Sequence, residues 1–437
     1  MSEFLWGAAT AAYQIEGAAA LGGRSPSIWD TFSATPGRTH QGDTGAIACD
    51  HYHRFEADLD LISELGLDSY RFSISWSRLL PEGIGEINHE GINFYNSLID
   101  GLVARGITPF ITLYHWDLPR VLQEKGGWNN RECAWWFENF ARVCAEQFGD
   151  RVKHWITINE PHCVAWFGNF RGWHAPGISD LQTSINVAHH LLLGHGLATR
   201  VIHKIVTDSK VGIAPGMTPV YPASDSPEDE AAAEFMDGYD IRWFLDPIYG
   251  RGYPKVVLER FNKVPPIQHG DMEIIATPTD FLGVNFYLKQ TVKSSSESNF
   301  FGVEGVDTPG TPVTAMGWEI NPESFAELLI RIVREYSPKE IYITENGSAW
   351  DDKLDDGRVE DHGRIAYLKE HVNSMQVAMN SGVPVKGYFA WSLLDNFEWT
   401  FGYSKRFGLI YVDFESLERI PKASAHWYSE FIQAQRR

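Results

Sequence analysis

Short runs of apolar residues alternate along this chain with longer segments in which apolar residues recur at helical spacing. Such alternation is typical of parallel β/α units, in which each buried strand is followed by an amphipathic helix. Eight runs have the composition of strands, and they span residues 4–14, 69–75, 109–116, 154–159, 211–214, 281–287, 341–345 and 385–391.

Two of the helical segments show the pattern clearly, and each is followed by a glycine that we expect to cap the helix. The first has apolar residues at Phe55, Leu59, Ile62 and Leu65, before Gly66. The second has them at Phe137, Phe140, Cys144 and Phe148, before Gly149.

Eight strands alternating with helices predict a (β/α)8 barrel, whose active-site residues lie at the C-terminal ends of the strands and on the loops that follow. A doubly wound open sheet is the alternative. Such a sheet often carries a glycine-rich phosphate-binding turn after its first strand, whereas this chain reads Gly7-Ala8-Ala9-Thr10. The barrel is therefore preferred.

No linker divides the sequence, and the polar stretches 294–311 and 351–361 follow candidate strands, so one domain over residues 1–437 is expected.

The charge balance restricts the partners. The chain has 37 Lys and Arg against 57 Asp and Glu, a formal net charge of -20. Nucleic acids and anionic membranes bind clustered basic residues, so neither is expected as a partner. Neutral small molecules are favoured as substrates.

Cysteine usage indicates a reducing compartment. Cys49, Cys133, Cys144 and Cys163 show no CxxC spacing, which argues against a disulfide framework or a structural zinc site.

The first residues lack a positively charged segment, and no apolar run approaches the roughly 18 residues that a membrane span needs. A cytoplasmic protein is expected. Its oligomeric state is open, and a homo-oligomer is compatible with the sequence.

Two glutamates have the setting of catalytic groups. Glu160 and Glu345 each end a β-rich apolar run and are followed by Pro161 or by Asn346-Gly347. We therefore expect both at C-terminal strand ends, facing each other across the barrel mouth. Opposed carboxyl groups suit glycoside hydrolysis, in which one is protonated and the other ionised. The competing interpretation is a pair of strand-end caps or ion-pair members, and the residues alone do not assign the roles.

Further polar residues fall near other strand ends. An arginine there could hold one carboxylate ionised, while amides and an imidazole could bind vicinal hydroxyls. These residues are Gln14, Arg71, His115, Asn159, Asn285 and Tyr287.

The run His51-Tyr52-His53 lacks a third ligand, so no metal site is expected, and neither H-E-x-x-H nor G-x-S-x-G occurs.

The eighth predicted strand leads into a run rich in aromatic residues. Trp391 and Trp399 flank Glu398, a combination that could form a sugar platform with a hydroxyl-binding carboxylate. An aromatic plug on the barrel rim is the equally weighted alternative.

Several motifs extend the pattern from one end of the chain to the other. They are residues 4–17, residues 70–78, Tyr114-His115-Trp116-Asp117, the two glutamate runs and Lys405-Arg406-Phe407-Gly408. With these motifs the chain resembles glycoside hydrolase family 1, the β-glucosidase family. The resemblance implies a (β/α)8 barrel and double displacement with retention, without metal or cofactor. The implied activity is release of terminal non-reducing β-D-glucosyl residues from cellobiose, short oligosaccharides or aryl and alkyl glucosides, with galactosidase or fucosidase side activity.

The resemblance also implies roles for individual residues. Glu160 would be the acid/base and Glu345 the nucleophile, contacted by Arg71 and Tyr287. The implied substrate-binding residues are Asn159 at the sugar 2-hydroxyl, Gln14, His115, Glu398 and Trp399 at the remaining hydroxyls, Trp391 beneath the ring, Trp318 on the leaving-group side, and Trp116, Asn285 and Phe407.

Two departures from the family pattern are expected to border the leaving-group side. His162 stands where the family often has Trp, and Pro215-Gly216 where it often has Leu-Asn.

Two alternative functions remain open at this stage. A 6-phospho-β-glycosidase would carry Ser at Glu398 and Tyr at Phe407, and Glu398 would repel a phosphate, although Lys405 is a weak signal in its favour. A non-catalytic sugar-binding barrel usually lacks one of the two glutamates.

Overall fold

The protein, described here for residues 4–436 by a computed structural model, is built on a closed barrel. Within these residues the strands are β1 Leu5–Ala9, β2 Ser69–Ser73, β3 Thr108–Tyr114, β4 His154–Asn159, β5 Lys210–Ala214, β6 Val220–Pro222, β7 Phe281–Phe286, β8 Gln290–Ser294, β9 Val303–Gly305, β10 Ile341–Asn346, β11 Val385–Trp391, β12 Ile410–Val412 and β13 Arg419–Pro421. Eight of them form the barrel in the order β1-β11-β10-β7-β5-β4-β3-β2, with parallel pairing throughout. The predicted (β/α)8 fold is confirmed.

Helices occupy the connections between the strands. They are α1 Ala12–Ile15, α2 Ile28–Ser33, α3 His51–Glu64, α4 Trp76–Leu79, α5 His89–Ala104, α6 Arg120–Gln123, α7 Cys133–Phe148, α8 Leu181–Ile205, α9 Pro227–Asp237, α10 Trp243–Ile248, α11 Lys255–Phe261, α12 Asp271–Ile275, α13 Pro322–Tyr336, α14 His362–Asn380 and α15 Ala423–Gln435. Short 3-10 or π-helical segments lie at His40–Gly42, Gly127–Asn129, Cys163–Gly168, Gly238–Arg242 and Trp399–Phe401.

Both helices predicted from apolar spacing are present, as α3 and α7. Gly66 follows α3 with a φ of +69°, the left-handed conformation expected of a capping glycine. Gly149 caps α7 as expected, but with a right-handed φ of -69°. A β-carbon there would lie 2.4 Å from Val206 Cγ2, so Gly149 permits close packing against the chain after α8.

The first candidate strand, 4–14, was predicted too long. Strand β1 ends at Ala9, and Gln14 lies on helix α1. Alanine dominates this stretch and favours helix over strand, and the amide of Ala12 donates to Ser73 Oγ at 2.7 Å rather than to a neighbouring strand. The polar stretch 294–311 also differs from a plain loop, because β9 joins β6 and β8 in a small three-stranded sheet.

The barrel interior is filled by aromatic side chains. Phe110 is fully buried, with its ring centroid 4.9 Å from that of Phe389 and 5.2 Å from that of Tyr342. Gly7 leaves room for this layer, since a β-carbon there would lie 2.8 Å from a ring carbon of Phe389. The same apolar cluster includes Trp391 and so supports the mouth of the barrel.

None of the helices in residues 4–436 is long and apolar enough to cross a membrane.

Candidate active site

A cavity of about 850 Å³ opens at the C-terminal end of the barrel. Most of the residues singled out in the sequence line it: His115, Trp116, Glu160, Asn285, Tyr287, Trp318, Glu345, Trp391, Glu398, Trp399 and Phe407. Gln14, Arg71 and Asn159 lie directly behind this lining, fully buried, and hydrogen-bond to residues that form it. The barrel therefore brings the predicted set together in two layers.

The two glutamates reach the cavity from different backbone positions. Glu160 directly follows β4 and has a φ of +42°, an unusual left-handed conformation for a glutamate. Its amide donates to the carbonyl of Ala214 on β5 at 2.8 Å, which fixes the turn. Glu345 lies one residue inside the end of β10, so it does not terminate its strand as predicted. A register shift in β10 occurs at this point.

Glu345 is in direct contact with a cation. Arg71 Nη1 donates to Glu345 Oε1 at 2.6 Å, and the Tyr287 hydroxyl donates to Oε2 at 2.6 Å. Burial raises the pKa of Glu345, while the charge of Arg71 and the hydrogen bonds act in the opposite direction. These contacts stabilise the ionised carboxylate and fix both of its oxygens.

Glu160 has a different environment. Asn285 Nδ2 donates to its Oε1 at 3.0 Å, the Cys163 thiol lies 3.3 Å from its Oε2, and no Lys or Arg of the described residues pairs with it. Burial, followed by the negative charge of Glu345, raises the pKa of Glu160 to about 7. A carboxyl group in this state carries a proton near neutral pH and can release it.

A chain of hydrogen bonds connects the two carboxyl groups. Arg71 Nη2 donates to Asn159 Oδ1 at 2.7 Å, and Asn285 Nδ2 donates to the same oxygen at 2.9 Å. Asn285 is itself oriented by Thr344, whose hydroxyl donates to Asn285 Oδ1 at 2.6 Å. A single network thus positions Glu345 through Arg71 and Glu160 through Asn285.

Polar atoms on one side of the cavity are well placed to bind hydroxyl groups. Asn159 Nδ2 donates to His115 Nε2 at 3.0 Å, and burial lowers the pKa of His115 well below its usual range. The imidazole is therefore neutral and its Nδ1 carries the proton. Gln14 Nε2 donates to Asn396 Oδ1 at 3.0 Å and lies 3.5 Å from Glu398 Oε2. Neither His115 Nδ1 nor Gln14 Oε1 has a hydrogen-bond partner within residues 4–436.

Glu398 is a further carboxyl group of the cavity, and it is half-buried. Burial, and then the charges of Glu345 and Glu160, raise its pKa to about 8. At neutral pH it is protonated and can both donate and accept a hydrogen bond.

Aromatic rings line the cavity beside these polar groups. The His115 ring is stacked at 5.8 Å from Trp391 and 6.0 Å from Trp399. Trp116 packs 4.5 Å from Trp399, and both residues have positive φ, +79° and +48°. Near the entrance, the Trp318 ring lies 5.5 Å from that of Tyr287.

Sequence reasoning missed the outer half of the cavity. Phe167, Arg171 and Trp173 from the loop after β4 line it together with Phe300 from the loop after β7. The guanidinium of Arg171 lies 4.1 Å from the ring centroid of Phe300 and 4.9 Å from that of Trp173. The cluster of aromatic residues between 166 and 173 was a signal that could have indicated this region.

The two departures from the family pattern are in contact. A β-carbon at Gly216 would lie 2.4 Å from His162 Cε1 and 2.9 Å from Glu160 Oε1. Gly216 therefore leaves the space that His162 occupies.

Sequence reasoning also missed that Glu160, His162 and Cys163 bring potential metal-binding atoms within 4.8 Å of one another.

Comparison with known proteins identifies the family of this chain. The glycosyl hydrolase family 1 model matches residues 1–437. Beta-glucosidase A of Thermotoga maritima is 50% identical over 433 residues, which cover 98% of this chain and 97% of that protein. The 1,4-beta-D-glucan glucohydrolase of Thermotoga neapolitana is also 50% identical, with the same coverage of 98% and 97%. The solved structure of the Thermotoga maritima beta-glucosidase in complex with glucoimidazole has a TM-score of 0.96 and 50% identity, and the match covers 98% of each chain. By sequence and by fold, this chain belongs to glycosyl hydrolase family 1.

Proposed function

We propose that this chain is a retaining β-glucosidase in which Glu160 is the acid/base and Glu345 the nucleophile. The observation that carries the proposal is the difference between the two carboxyl groups. Glu345 is paired with Arg71 at 2.6 Å, whereas Glu160 contacts an amide and a thiol and has its pKa raised to about 7. One group suits attack as an anion and the other suits proton donation.

The first step joins Glu345 to the sugar. A Glu345 oxygen attacks the anomeric carbon while Glu160 donates its proton to the departing glycosidic oxygen. Tyr287 and Arg71 hold the attacking carboxylate in place. Once Glu345 is esterified its negative charge is lost, and that charge is the second cause of the raised pKa of Glu160. The pKa of Glu160 then falls, so it can accept a proton from the water that releases the sugar.

Recognition of the glycone is assigned to the polar side of the cavity. The proton on His115 Nδ1, the free Gln14 Oε1 and the protonated Glu398 offer complementary donors and acceptors to sugar hydroxyls. Asn159 serves the 2-hydroxyl, and Trp391 provides the apolar face beneath the ring. Trp116, Asn285, Trp399 and Phe407 complete the glycone site, and Trp318 contacts the leaving group.

The substrates proposed are terminal non-reducing β-D-glucosyl residues of cellobiose, short oligosaccharides and aryl or alkyl glucosides. The names of the two Thermotoga relatives support this substrate class and a place in cellulose degradation. Side activity on β-galactosides and β-fucosides is proposed because the same hydroxyl-binding set could serve these sugars.

The two alternative functions have less support. Lys405 was the residue that favoured a phosphorylated sugar, but its ammonium donates to the Ala315 carbonyl at 2.5 Å and does not line the cavity. A sugar-binding barrel without activity would not need the opposed ionisation of Glu160 and Glu345.

We further propose one domain over residues 1–437 and a cytoplasmic location. The four cysteines are free thiols, which suits a reducing compartment. The net charge of -20 argues against nucleic acid as a partner. The proposed function is compatible with a homo-oligomer.

The decisive experiment replaces the nucleophile by Glu345→Gly. Turnover of an aryl β-glucoside should fall on the order of 10⁴-fold or more, because the covalent step is lost. Azide should restore product formation by entering the space left by the carboxylate, and the product should be the α-glucosyl azide. Nuclear magnetic resonance of the product measures its configuration. Retained activity without azide would reject Glu345 as the nucleophile.

A further inference from the structure

Glu160, His162 and Cys163 present three different metal-binding atoms on the cavity wall. Cys163 Sγ lies 3.3 Å from Glu160 Oε2 and 3.3 Å from His162 Nε2, and all three atoms lie within 4.8 Å of one another. The three residues occupy a single turn, in which the Cys163 amide donates to the Glu160 carbonyl at 2.9 Å. Their arrangement is thus set by the backbone at the end of β4.

The spacing suits a tetrahedral ion. Zinc binds sulfur at about 2.3 Å and nitrogen or oxygen at about 2.0–2.2 Å, so ligand atoms around it lie about 3.3–3.6 Å apart. The two separations of 3.3 Å would need to open by only a few tenths of an ångström, and the separation of Glu160 from His162, which is within 4.8 Å, would need to close by up to about 1.5 Å. The cavity in front of the three residues leaves room for a fourth ligand from solvent.

Neighbouring residues keep the ligand atoms accessible. Asn285 donates to Glu160 Oε1, which leaves Oε2 on the side of the thiol. The His162 ring is held by packing, at 5.8 Å from the Phe167 ring, with Cε1 against Gly216. Its Nδ1 has no hydrogen-bond partner among the described residues, so an ion bound at Nε2 would replace only the contact of this nitrogen with the Cys163 thiol.

We propose that Glu160, His162 and Cys163 bind one soft divalent cation such as Zn²⁺, and that this cation blocks the enzyme. Carboxylate, imidazole and thiolate match the ligand preferences of zinc. On binding, the thiol proton and any proton on Glu160 pass to solvent, with no change of oxidation state. The blocking effect rests on the proposed function, since it requires Glu160 to act as the acid/base, whereas the binding does not.

Binding is tested by titrating chelator-treated protein with zinc chloride in a calorimeter. The unmodified protein should bind one ion, and Cys163→Ser and His162→Gln should each weaken binding at least tenfold. Cys133→Ser is the matched control, because this cysteine is buried in α7 and lies outside the cavity lining, and it should bind zinc as the unmodified protein does. His162→Gln changes a cavity-wall residue, so it gives an answer even if Cys163→Ser folds poorly. Absence of a stoichiometric site, or equal affinity in all four proteins, would overturn the proposal.

Cobalt supplies an independent signature. Co²⁺ should produce a thiolate-to-metal charge-transfer band in the unmodified protein and in Cys133→Ser, and the band should be lost in Cys163→Ser. A band that persists in Cys163→Ser would show that the ion lies elsewhere.

Activity separates the two parts of the inference. Zinc should inhibit hydrolysis of an aryl β-glucoside at the concentrations at which calorimetry detects binding, and a chelator should restore it. The inhibition constants of Cys163→Ser and His162→Gln, each relative to its own metal-free rate, should rise at least tenfold. Zinc binding without inhibition would contradict the block, and it would not affect the azide test of Glu345.

Discussion

At the scale of single residues, the proposed function depends on the unequal surroundings of Glu160 and Glu345. Glu160→Ala removes the proton donor and leaves the pair of Glu345 and Arg71 intact. For substrates with poor leaving groups, kcat/KM should fall about 10²–10⁴-fold, the usual contribution of a general acid. For aryl glucosides with good leaving groups it should change little. Steady-state rates across a series of aryl glucosides test this, and an equal loss for all of them would reject the acid role.

Asn285 should set the alkaline limit of activity. Its amide donates to Glu160 Oε1, which favours the ionised carboxylate and lowers the pKa of Glu160. The alkaline limb of kcat/KM should lie near the Glu160 pKa of about 7. Loss of a hydrogen bond to a charged group is worth about 1.5–3 kcal/mol, so Asn285→Ala should move this limb upward by about one to two pH units.

The control for this prediction is Thr344→Val. This change removes the hydroxyl that orients Asn285 but leaves the amide that contacts Glu160. Its alkaline limb should shift less than that of Asn285→Ala. A pH profile in which Asn285→Ala leaves the limb in place would show that Asn285 does not tune Glu160.

At the scale of helices and strands, alternating apolar runs were sufficient to predict all eight barrel strands. Parallel buried strands carry continuous apolar segments, and this signal does not depend on distant contacts. The ends of the strands were predicted less well. Gln14 lies on a helix and Glu345 lies inside β10, because both positions are fixed by contacts with other strands. Gly149 caps α7 as predicted, but its close packing against Val206 could not be predicted, since Val206 is 57 positions away in the sequence.

The aromatic layer inside the barrel should make a large contribution to stability. Phe110 is fully buried between Phe389 and Tyr342. Phe110→Ala should lower the free energy of unfolding by about 3–5 kcal/mol, through lost burial and the cavity left behind. Ile156→Val, in the same apolar cluster, is the control and should cost only about 0.5–1.5 kcal/mol. Urea denaturation measures both. A loss of unfolding free energy in Phe110→Ala as small as that in Ile156→Val would show that the aromatic layer repacks.

At the scale of the whole molecule, two sets of buried groups should give stability a maximum between about pH 6 and 7. Histidines whose pKa is lowered to about 3 or 4 stay neutral in the folded chain, so the unfolded chain binds more protons below about pH 6.5 and stability rises with pH there. These are His154, His162, His174, His190, His195 and His371. Acids whose pKa is raised to about 7 or 8 have the opposite effect. These are Asp117, Glu160, Asp240 and Glu398.

Above about pH 6.5 only the acids contribute. The folded chain then holds more protons than the unfolded chain, so stability should fall by up to about 1.4 kcal/mol per pH unit for each protonated acid until its folded pKa is reached. Thermal midpoints from pH 4 to 9 measure the curve. Glu398→Gln should flatten the decline between pH 7 and 8, because the Glu398 pKa is about 8. A midpoint that keeps rising to pH 9 would contradict the account.

The residues around the two glutamates could be predicted from the sequence, but the outer half of the cavity and the environments of the carboxyl groups could not. Strand-end positions and motifs indicated Glu160, Glu345 and Arg71. The contact of His162 with Gly216 joins residues 54 positions apart, and the protonated state of Glu398 arises from burial near two other carboxyl groups. Such properties depend on distance and solvent exclusion, which a linear pattern does not contain.

The left-handed backbone at Trp116, Glu160 and Trp399 limits how this protein can be made more heat-resistant. Glycine adopts this conformation without the cost of about 1–2 kcal/mol that other residues bear, so redesign for stability alone would select glycine at all three positions. Each such change would delete a side chain that lines the cavity. Asp208 and Asp356 have φ of +58° and +45°, are exposed and lie outside the cavity lining. Engineering for heat resistance should therefore begin at these two surface positions.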